Sequence, residues 1–269
     1  VSSVSIGTDP TQDFSLQISW ENLNQNEKEI LDLPERIARK RKTKFVICID
    51  EFQKVAEFKD SHFFQQRLRS HWQDQSSTCY CLYGSKRHVI TSLFTSQSQP
   101  FYRFGDLVFL QKIKPKHWYG HIEKQFAASG KSISREIIDR ILEVTANHPY
   151  HIQQFTHYLW RLTEIEVDSN TFDTSLDELM LNNEILFRKE VENLTALQLR
   201  YLTAMVNREP HLNSIHTINK YKLGSPGNLS TVKAALETKD IIDFYESEPT
   251  FINPLFEYWL KNVLLLSAD

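Results

Sequence analysis

Two adjacent carboxylates that follow a short apolar run are the residues best suited to chemistry in this sequence. The run is Phe45–Ile49, and Asp50 and Glu51 come directly after it. Burying a carboxylate is costly unless it is paired or faces a cation, and open α/β sheets bind ligands beyond the carboxyl ends of their strands. In a nucleotide site Asp50 would hold Mg²⁺ through water, and Glu51 would activate the attacking water. The pattern alone also fits another Mg²⁺-dependent phosphohydrolase, or a solvated loop in which Asp50 caps the next helix.

A second group of polar residues follows the next apolar run, Thr78–Tyr83. The run is succeeded by Gly84, Ser85, Lys86 and Arg87. If the two runs form neighbouring parallel strands, their polar ends meet at one edge of the sheet. Ser85 is then placed to sense a γ-phosphate. Lys86 and Arg87 either neutralise phosphate charge or belong to a solvated loop.

The sequence contains no phosphate-binding loop of the P-loop type. Such a loop needs Gly-x-x-x-x-Gly-Lys-Ser/Thr after a strand, because its backbone N–H groups wrap the phosphates. The Gly-Lys-Ser at 130–132 does not qualify, since Gln125 stands in place of the first glycine and an amphipathic helix precedes it. The seven glycines of the chain offer no other match.

The spacing of the histidines and cysteines gives little support for a metal site other than the magnesium site considered above. His148, His151 and His157 lie near one predicted helix start, but spacings of three and six residues do not form a tight ligand face. Cys79 and Cys81 lie within a strand-like run, without a second cysteine pair to complete a zinc site.

Composition and charge exclude several classes of protein. The 269 residues are 41% hydrophobic, which is enough for a sizeable core. Lys and Arg number 31 against 34 Asp and Glu, so no overall positive field draws the chain to nucleic acid or to an anionic membrane. The sequence has no apolar run of about 18 residues and no signal-peptide pattern. Three cysteines give no disulfide framework, so we expect a cytoplasmic protein. Because no apolar run is long enough to span a bilayer, we also expect no membrane association.

The elements that would position the carboxylates alternate between strands and helices. The apolar runs Phe45–Ile49, Thr78–Tyr83 and Leu107–Ile113 predict strands covered on both faces, with their cysteines buried. A helical pattern at Ser61–Trp72 lies between the first two runs and predicts a parallel crossover. Upstream, alternation at 4–6 and 14–20 predicts a hairpin, and 26–42 predicts a helix in which Pro34 opens a second turn. The sequence therefore predicts an α/β core.

The pattern changes to helices after Pro115. Three of them are predicted, at 118–128, 134–146 and 150–163. From about Phe187 the order becomes three helices, at 195–207, 214–221 and 229–239, then two strands at 241–245 and 250–252. That order is typical of a winged helix.

Four segments of this sequence resemble the prokaryotic and archaeal ATPase family within the AAA-like and signal-transduction ATPases. They are residues 49–53, Ile-Asp-Glu-Phe-Gln; 84–88, Gly-Ser-Lys-Arg-His; 100–105, Pro-Phe-Tyr-Arg-Phe-Gly; and 147–150, Asn-His-Pro-Tyr. The similarity spans nearly the whole chain. It implies a partial P-loop ATPase core over residues 1–115, a helical lid over 116–186 and a winged helix over 187–269, with ATP between sheet and lid.

The resemblance also implies roles for particular residues. Asp50 and Glu51 match the Walker B acid pair, and Ser85 matches the sensor position after the next strand. Pro149 matches the lid proline that packs near the nucleotide base. Arg103 is a weaker match: it lies in the segment where relatives place an arginine, but this sequence reads Tyr-Arg-Phe-Gly there, and a structural role is the alternative.

The sequence departs from the family in lacking the Walker A segment, which the resemblance places upstream of Val1. Strand-like alternation from Val1 onward also leads us to expect preceding sequence. On this interpretation the chain is an inactive fragment of a Mg²⁺-dependent ATPase that works as a nucleotide-dependent switch. If the natural protein also lacks the loop, the fold serves as a protein-interaction scaffold.

The expected partners are ATP or ADP, an unknown protein and a second copy of the chain in a homo-oligomer. A winged helix also suggests a DNA-associated ATPase, with 229–239 as the recognition helix. Residues 191–269 hold seven Lys or Arg against nine Asp or Glu, however. Because phosphate contacts dominate non-specific affinity for DNA, this acidic balance disfavours DNA binding.

Overall fold

The structure is a computed structural model that describes residues 2–6, 14–18, 27–244 and 248–265. The chain divides into two compact units, Val1–Val108 and Phe109–Asp269. None of the described helices is long and apolar enough to cross a membrane.

The first unit begins with a hairpin and a helix, as the sequence predicts. Strand β1 (Ser2–Ile6) pairs antiparallel with β2 (Phe14–Ile18). The predicted extension to residues 19 and 20 lies outside the described residues. Helix α1 (Glu27–Arg41) continues through Pro34 as one helix, so the prediction of a second turn beginning there is wrong.

The parallel strand–helix–strand crossover is confirmed. Strands β3 (Phe45–Ile49) and β4 (Thr78–Leu82) pair in parallel, with Ile49 opposite Leu82 at their carboxyl ends. Helix α2 (Ser61–Trp72) connects them. A short 3₁₀ helix, Phe52–Glu57, follows β3, and α3 (Arg87–Thr95) follows β4.

The prediction that this sheet is covered on both faces is wrong. Alternate positions of β3 and β4 are exposed: Val46 is 69% accessible, and Cys48, Cys79 and Cys81 are also exposed rather than buried. Helix α1 contacts both strands, so the described helices give the sheet one covered face. A short apolar run does not reveal from sequence whether one or two layers cover it.

The third predicted strand, Leu107–Ile113, is not formed. The segment has no regular secondary structure, and Val108 and Leu110 are 79% and 85% exposed. Strand propensity alone does not make a strand, because the ladder of hydrogen bonds to a neighbouring strand stabilises it.

Aromatic packing holds the first unit together. Trp72 of α2 stacks on Tyr80 of β4, with ring centroids 4.1 Å apart. Phe52, the residue after Glu51, meets the fully buried Phe101 edge-to-face at 5.4 Å. The segment that carries the carboxylates is therefore anchored in a hydrophobic core.

The second unit is helical in its first half. Its helices are α4 (Pro115–Ala127), α5 (Arg135–Val144), α6 (Pro149–Leu162) and α7 (Ser169–Glu192). The first three confirm the predicted helices. Helix α7 was not predicted, because its exposed face also carries apolar side chains, among them Leu181 and Ile185 at 68% and 69% exposed, which obscure the helical pattern of its buried face.

The second half contains the three helices and two strands that the sequence predicts, in the predicted order. They are α8 (Ala196–Val206), α9 (Ile215–Lys220), α10 (Pro226–Thr238), β5 (Ile242–Asp243) and β6 (Thr250–Phe251), the two strands pairing antiparallel. Residue 245 of the predicted strand lies outside the described residues. Helix α11 (Pro254–Trp259) and a π-helical turn, Leu260–Leu265, follow and were not predicted.

Local capping explains where several helices of this unit begin. Ser134, Asp168 and Ser214 each accept a hydrogen bond from a backbone amide in the first turn of α5, α7 and α9. At α8, Thr195 and Gln198 form a reciprocal capping box. One continuous cluster of buried side chains runs from α4 to the end of α11, so the predicted lid and winged-helix segments share a hydrophobic core.

Candidate functional site

The ends of β3 and β4 are held together by backbone hydrogen bonds on both sides of the carboxylate pair. The amide of Tyr83 donates to the carbonyl of Ile49 at 3.1 Å, and the amide of Phe52 donates to the carbonyl of Tyr83 at 3.0 Å. Asp50 and Glu51 therefore lie in a short turn that is fixed at both ends against β4. Asp50 is exposed and Glu51 is partly buried.

Glu51 has a left-handed backbone conformation, with φ 53° and ψ 38°. This conformation is uncommon for a residue with a side chain and costs about 1–2 kcal/mol. Two hydrogen bonds support it, from the Glu51 amide to Asp50 Oδ1 at 2.7 Å and from the Lys54 amide to the Glu51 carbonyl at 2.9 Å. Such strained residues cluster at functional sites, where the surrounding structure determines them.

The Glu51 side chain is held by Gln53. Gln53 Nε2 donates a hydrogen bond to Glu51 Oε2 at 2.7 Å, and Gln53 is only 1% exposed. Gln53 lies in the Ile-Asp-Glu-Phe-Gln segment but was not predicted to be a site residue. The contact depends on the left-handed turn at Glu51, which a strand pattern does not encode.

The turn after β4 lies against the same glutamine. A Cβ atom added to Gly84 would lie 1.8 Å from Gln53 Oε1, so a larger residue at this position would displace the Gln53 amide. Ser85 follows and is exposed, and its carbonyl accepts a hydrogen bond from the Arg87 amide at 3.0 Å. Lys86 precedes the first residue of α3, which is Arg87. Both basic residues thus follow the end of β4, the strand that pairs with β3.

The electrostatic influence of Asp50 extends to Tyr83. The negative charge of Asp50 raises the pKa of the Tyr83 hydroxyl above its usual value, with a smaller contribution from desolvation. Asp50 also accepts the Glu51 amide through Oδ1, and a carboxylate has acceptor capacity beyond one such bond. An exposed carboxylate of this kind suits a hydrated Mg²⁺, which is usually bound through one or two carboxylates, waters and substrate phosphates.

Arg103 belongs to the first unit and has a left-handed backbone at φ 54°. Its amide donates to the carbonyl of Phe94 at 3.1 Å, and its guanidinium lies 5.2 Å from the centre of the Tyr102 ring. These contacts are structural, and a role for Arg103 in catalysis stays a prediction.

Pro149 belongs to the second unit, where it is the first residue of α6. The two residues at 146 and 147, Ala146 and Asn147, have left-handed backbones and precede it closely. Burial lowers the pKa of the nearby His151 to about 4, so that side chain is neutral at physiological pH. Within the described residues, no group of three or more His, Cys, Asp or Glu side chains is arranged to hold a metal ion.

Comparison with known proteins supports the fold. No family model matches the sequence, and no curated protein matches it either. Among solved structures, a Walker-type ATPase of Pyrococcus abyssi is similar, with a TM-score of 0.64 and 14% sequence identity over 91% of this chain and 72% of that one. The fold is P-loop ATPase-like. The predicted α/β class is confirmed, and the likeness supports a P-loop ATPase-like fold at a coarse level. The roles of the individual site residues stay predictions.

Proposed function

We propose that this chain carries the Walker B half of a Mg²⁺-dependent ATPase that works as a nucleotide-dependent switch. The observation that carries the proposal is the adjacent pair Asp50 and Glu51, fixed at the carboxyl end of a parallel strand in a P-loop ATPase-like fold. Ligands bind outside this end of the strands in open α/β sheets.

Each polar group at the edge has a distinct task in this proposal. Asp50 would hold Mg²⁺ through water, and the ion would supply positive charge to the phosphate oxygens. Glu51, fixed by Gln53, orients the attacking water and accepts its proton. Ser85 contacts the γ-phosphate, and Lys86 and Arg87 stabilise the charge that develops on it.

The switch requires contributions from elsewhere in the chain. Pro149 and Arg103 are candidates that the family resemblance supplies, and the role of each in nucleotide binding stays a prediction. ATP and ADP must then favour different arrangements of the protein, because a ligand shifts an equilibrium only by its differential affinity. A protein partner or a second copy of the chain would detect that difference.

A non-catalytic interaction scaffold is the second candidate. The observation that favours it is the lack of a P-loop in these 269 residues, since the carboxylates alone do not retain the phosphates. A scaffold would bind its partner equally well with and without nucleotide.

ATP hydrolysis by the native-length protein, with and without Mg²⁺, tests the proposal. We expect Mg²⁺-dependent turnover that Glu51→Gln lowers by about 100- to 10,000-fold, the usual effect of losing a positioned base. Glu57→Gln is the matched control, because Glu57 is an exposed glutamate six residues away. No nucleotide binding at native length would favour the scaffold, and unchanged turnover in Glu51→Gln would remove Glu51 from the mechanism.

A further inference from the structure

We propose that Gln53 is a positioning residue, which fixes the Glu51 carboxylate and connects it to the Gly84–Ser85 turn after β4. The inference rests on the proposed ATPase function and adds a residue to which the motif alone assigns no role. Gln53 contacts Glu51 at one end of its amide and lies against Gly84 at the other.

The direction of the Gln53 amide is fixed by chemistry. A carboxylate only accepts hydrogen bonds, so the NH₂ end must face Glu51 Oε2. Turning the amide around would place two acceptor oxygens against each other. The distance of 2.7 Å is at the short end for hydrogen bonds between N–H groups and charged oxygens.

The burial of Gln53 indicates that its amide is not there to fill space. Gln53 is 1% exposed, and its Oε1 atom has no hydrogen-bond partner among the described residues. An unsatisfied buried acceptor is destabilising, whereas an apolar side chain of similar length would avoid that penalty. We therefore attribute the presence of an amide at this buried position to its hydrogen bond with the Glu51 carboxylate.

The other end of the amide touches the backbone after β4. Gln53 Oε1 occupies the space in which a Cβ of residue 84 would lie, 1.8 Å from that point. Because interiors are tightly packed, a displacement of the Gly84–Ser85 turn moves the amide and, through it, Glu51. Gln53 thus couples the proposed phosphate-sensing turn to the proposed base.

A double-mutant cycle on the native-length protein tests this role. The variants are Gln53→Met, Glu51→Ala and the double substitution, each assayed for kcat and KM with MgATP. We expect Gln53→Met alone to lower kcat by about 10- to 100-fold, as misplacing a catalytic group does, with KM changed less than about twofold. With Glu51→Ala present, Gln53→Met should change turnover by less than about twofold, since its effect passes through Glu51.

Gln65 provides a matched control for buried glutamine. Like Gln53 it is 1% exposed with an unpartnered Oε1, but its Nε2 donates to Ser61 Oγ at 2.8 Å, within α2. Gln65→Met should leave kcat unchanged. If Gln53→Met does not fold, Gly84→Ala replaces it in the cycle, because the added methyl group displaces the Gln53 amide without removing it.

A second readout does not depend on turnover. In ¹⁵N-labelled protein, the side-chain NH₂ protons of Gln53 should exchange slowly, and Glu51→Ala should remove that protection. Two results would overturn the role of Gln53 alone. One is a double variant whose loss of kcat equals the product of the two single losses, and the other is rapid exchange of the Gln53 NH₂ protons in the native protein. Absent turnover in the native protein, or full activity in Glu51→Ala, would overturn the proposed function and the positioning role with it.

Discussion

The contact between α1 and the turn before β4 predicts how stability depends on pH. Glu35 is 7% exposed, and its carboxylate accepts hydrogen bonds from the amides of Ser76 and Ser77 at 3.0 Å and from Arg39 Nε at 2.6 Å. Burial acts to raise the pKa of Glu35, but these hydrogen bonds outweigh it and lower the pKa from 4.5 to about 2.

The size of the effect follows from that shift. One pKa unit corresponds to about 1.4 kcal/mol, so a fall from 4.5 to about 2 sets a ceiling of about 3 kcal/mol. The side chain of Arg39 is 59% exposed, and solvent screens its share. We therefore expect Glu35→Gln to lower the free energy of unfolding by about 1–2 kcal/mol near pH 7.

The sign of the pH dependence is fixed by the direction of the shift. Because the folded pKa lies below the unfolded value, the stabilisation is complete above pH 4.5 and is lost as the pH falls from 4.5 towards 2. It should fall below about half of its full value by about pH 3. The native protein and Glu35→Gln should accordingly differ less in stability at low pH than near neutral pH.

Urea unfolding of the native protein and Glu35→Gln, at about pH 7 and about pH 3, measures the difference in unfolding free energy at each pH. Amide exchange at Ser76 and Ser77 shows whether the loss of stability lies at this contact. Glu29→Gln is the control, because Glu29 is an exposed glutamate on the same helix. An equal loss of stability at both pH values would refute the electrostatic explanation. No loss near neutral pH would refute the contribution of Glu35 altogether.

Two further predictions concern the second unit. Thr195→Ala removes the capping box at the start of α8 and should cost about 1 kcal/mol of unfolding free energy, whereas Thr195→Ser should restore most of it; urea unfolding of both variants checks this. Phe155→Ala deletes a fully buried ring that packs on Phe172 at 5.0 Å and should cost about 3–5 kcal/mol. A loss below about 1 kcal/mol in thermal or urea unfolding would show that neighbouring side chains refill the space.

The parts of the fold that the sequence predicts well are those set by local patterns. Strands β3 and β4 were found from continuous apolar runs, and α2 between them from apolar residues three and four apart. Most helices of the second unit were found in the same way. These patterns are local, because the spacing of apolar residues within a helix or strand follows from the geometry of that element alone.

The errors concern features that depend on distant parts of the chain. Whether Val46 and Cys48 are covered depends on which elements pack on the sheet, and whether Leu107–Ile113 becomes a strand depends on a neighbouring edge. Helix α7 was missed because apolar residues occupy its exposed face as well as its buried face. Gln53 was overlooked for a related reason, since its contact with Gly84 joins residues 31 positions apart.

The environments of the two carboxylates explain why adjacent acidic residues can divide the proposed chemistry. Asp50 is exposed, and its Oδ1 atom accepts a hydrogen bond from the backbone amide of Glu51. Its carboxylate is therefore accessible to hydrated ions. Glu51 is partly buried, and both its backbone and its carboxylate are fixed by neighbours. A base must be held within hydrogen-bond reach of one water, whereas a magnesium ligand acting through water tolerates more freedom. Exchanging the order of Asp50 and Glu51 would therefore preserve the charge of the site and lose the positions that the proposed mechanism requires.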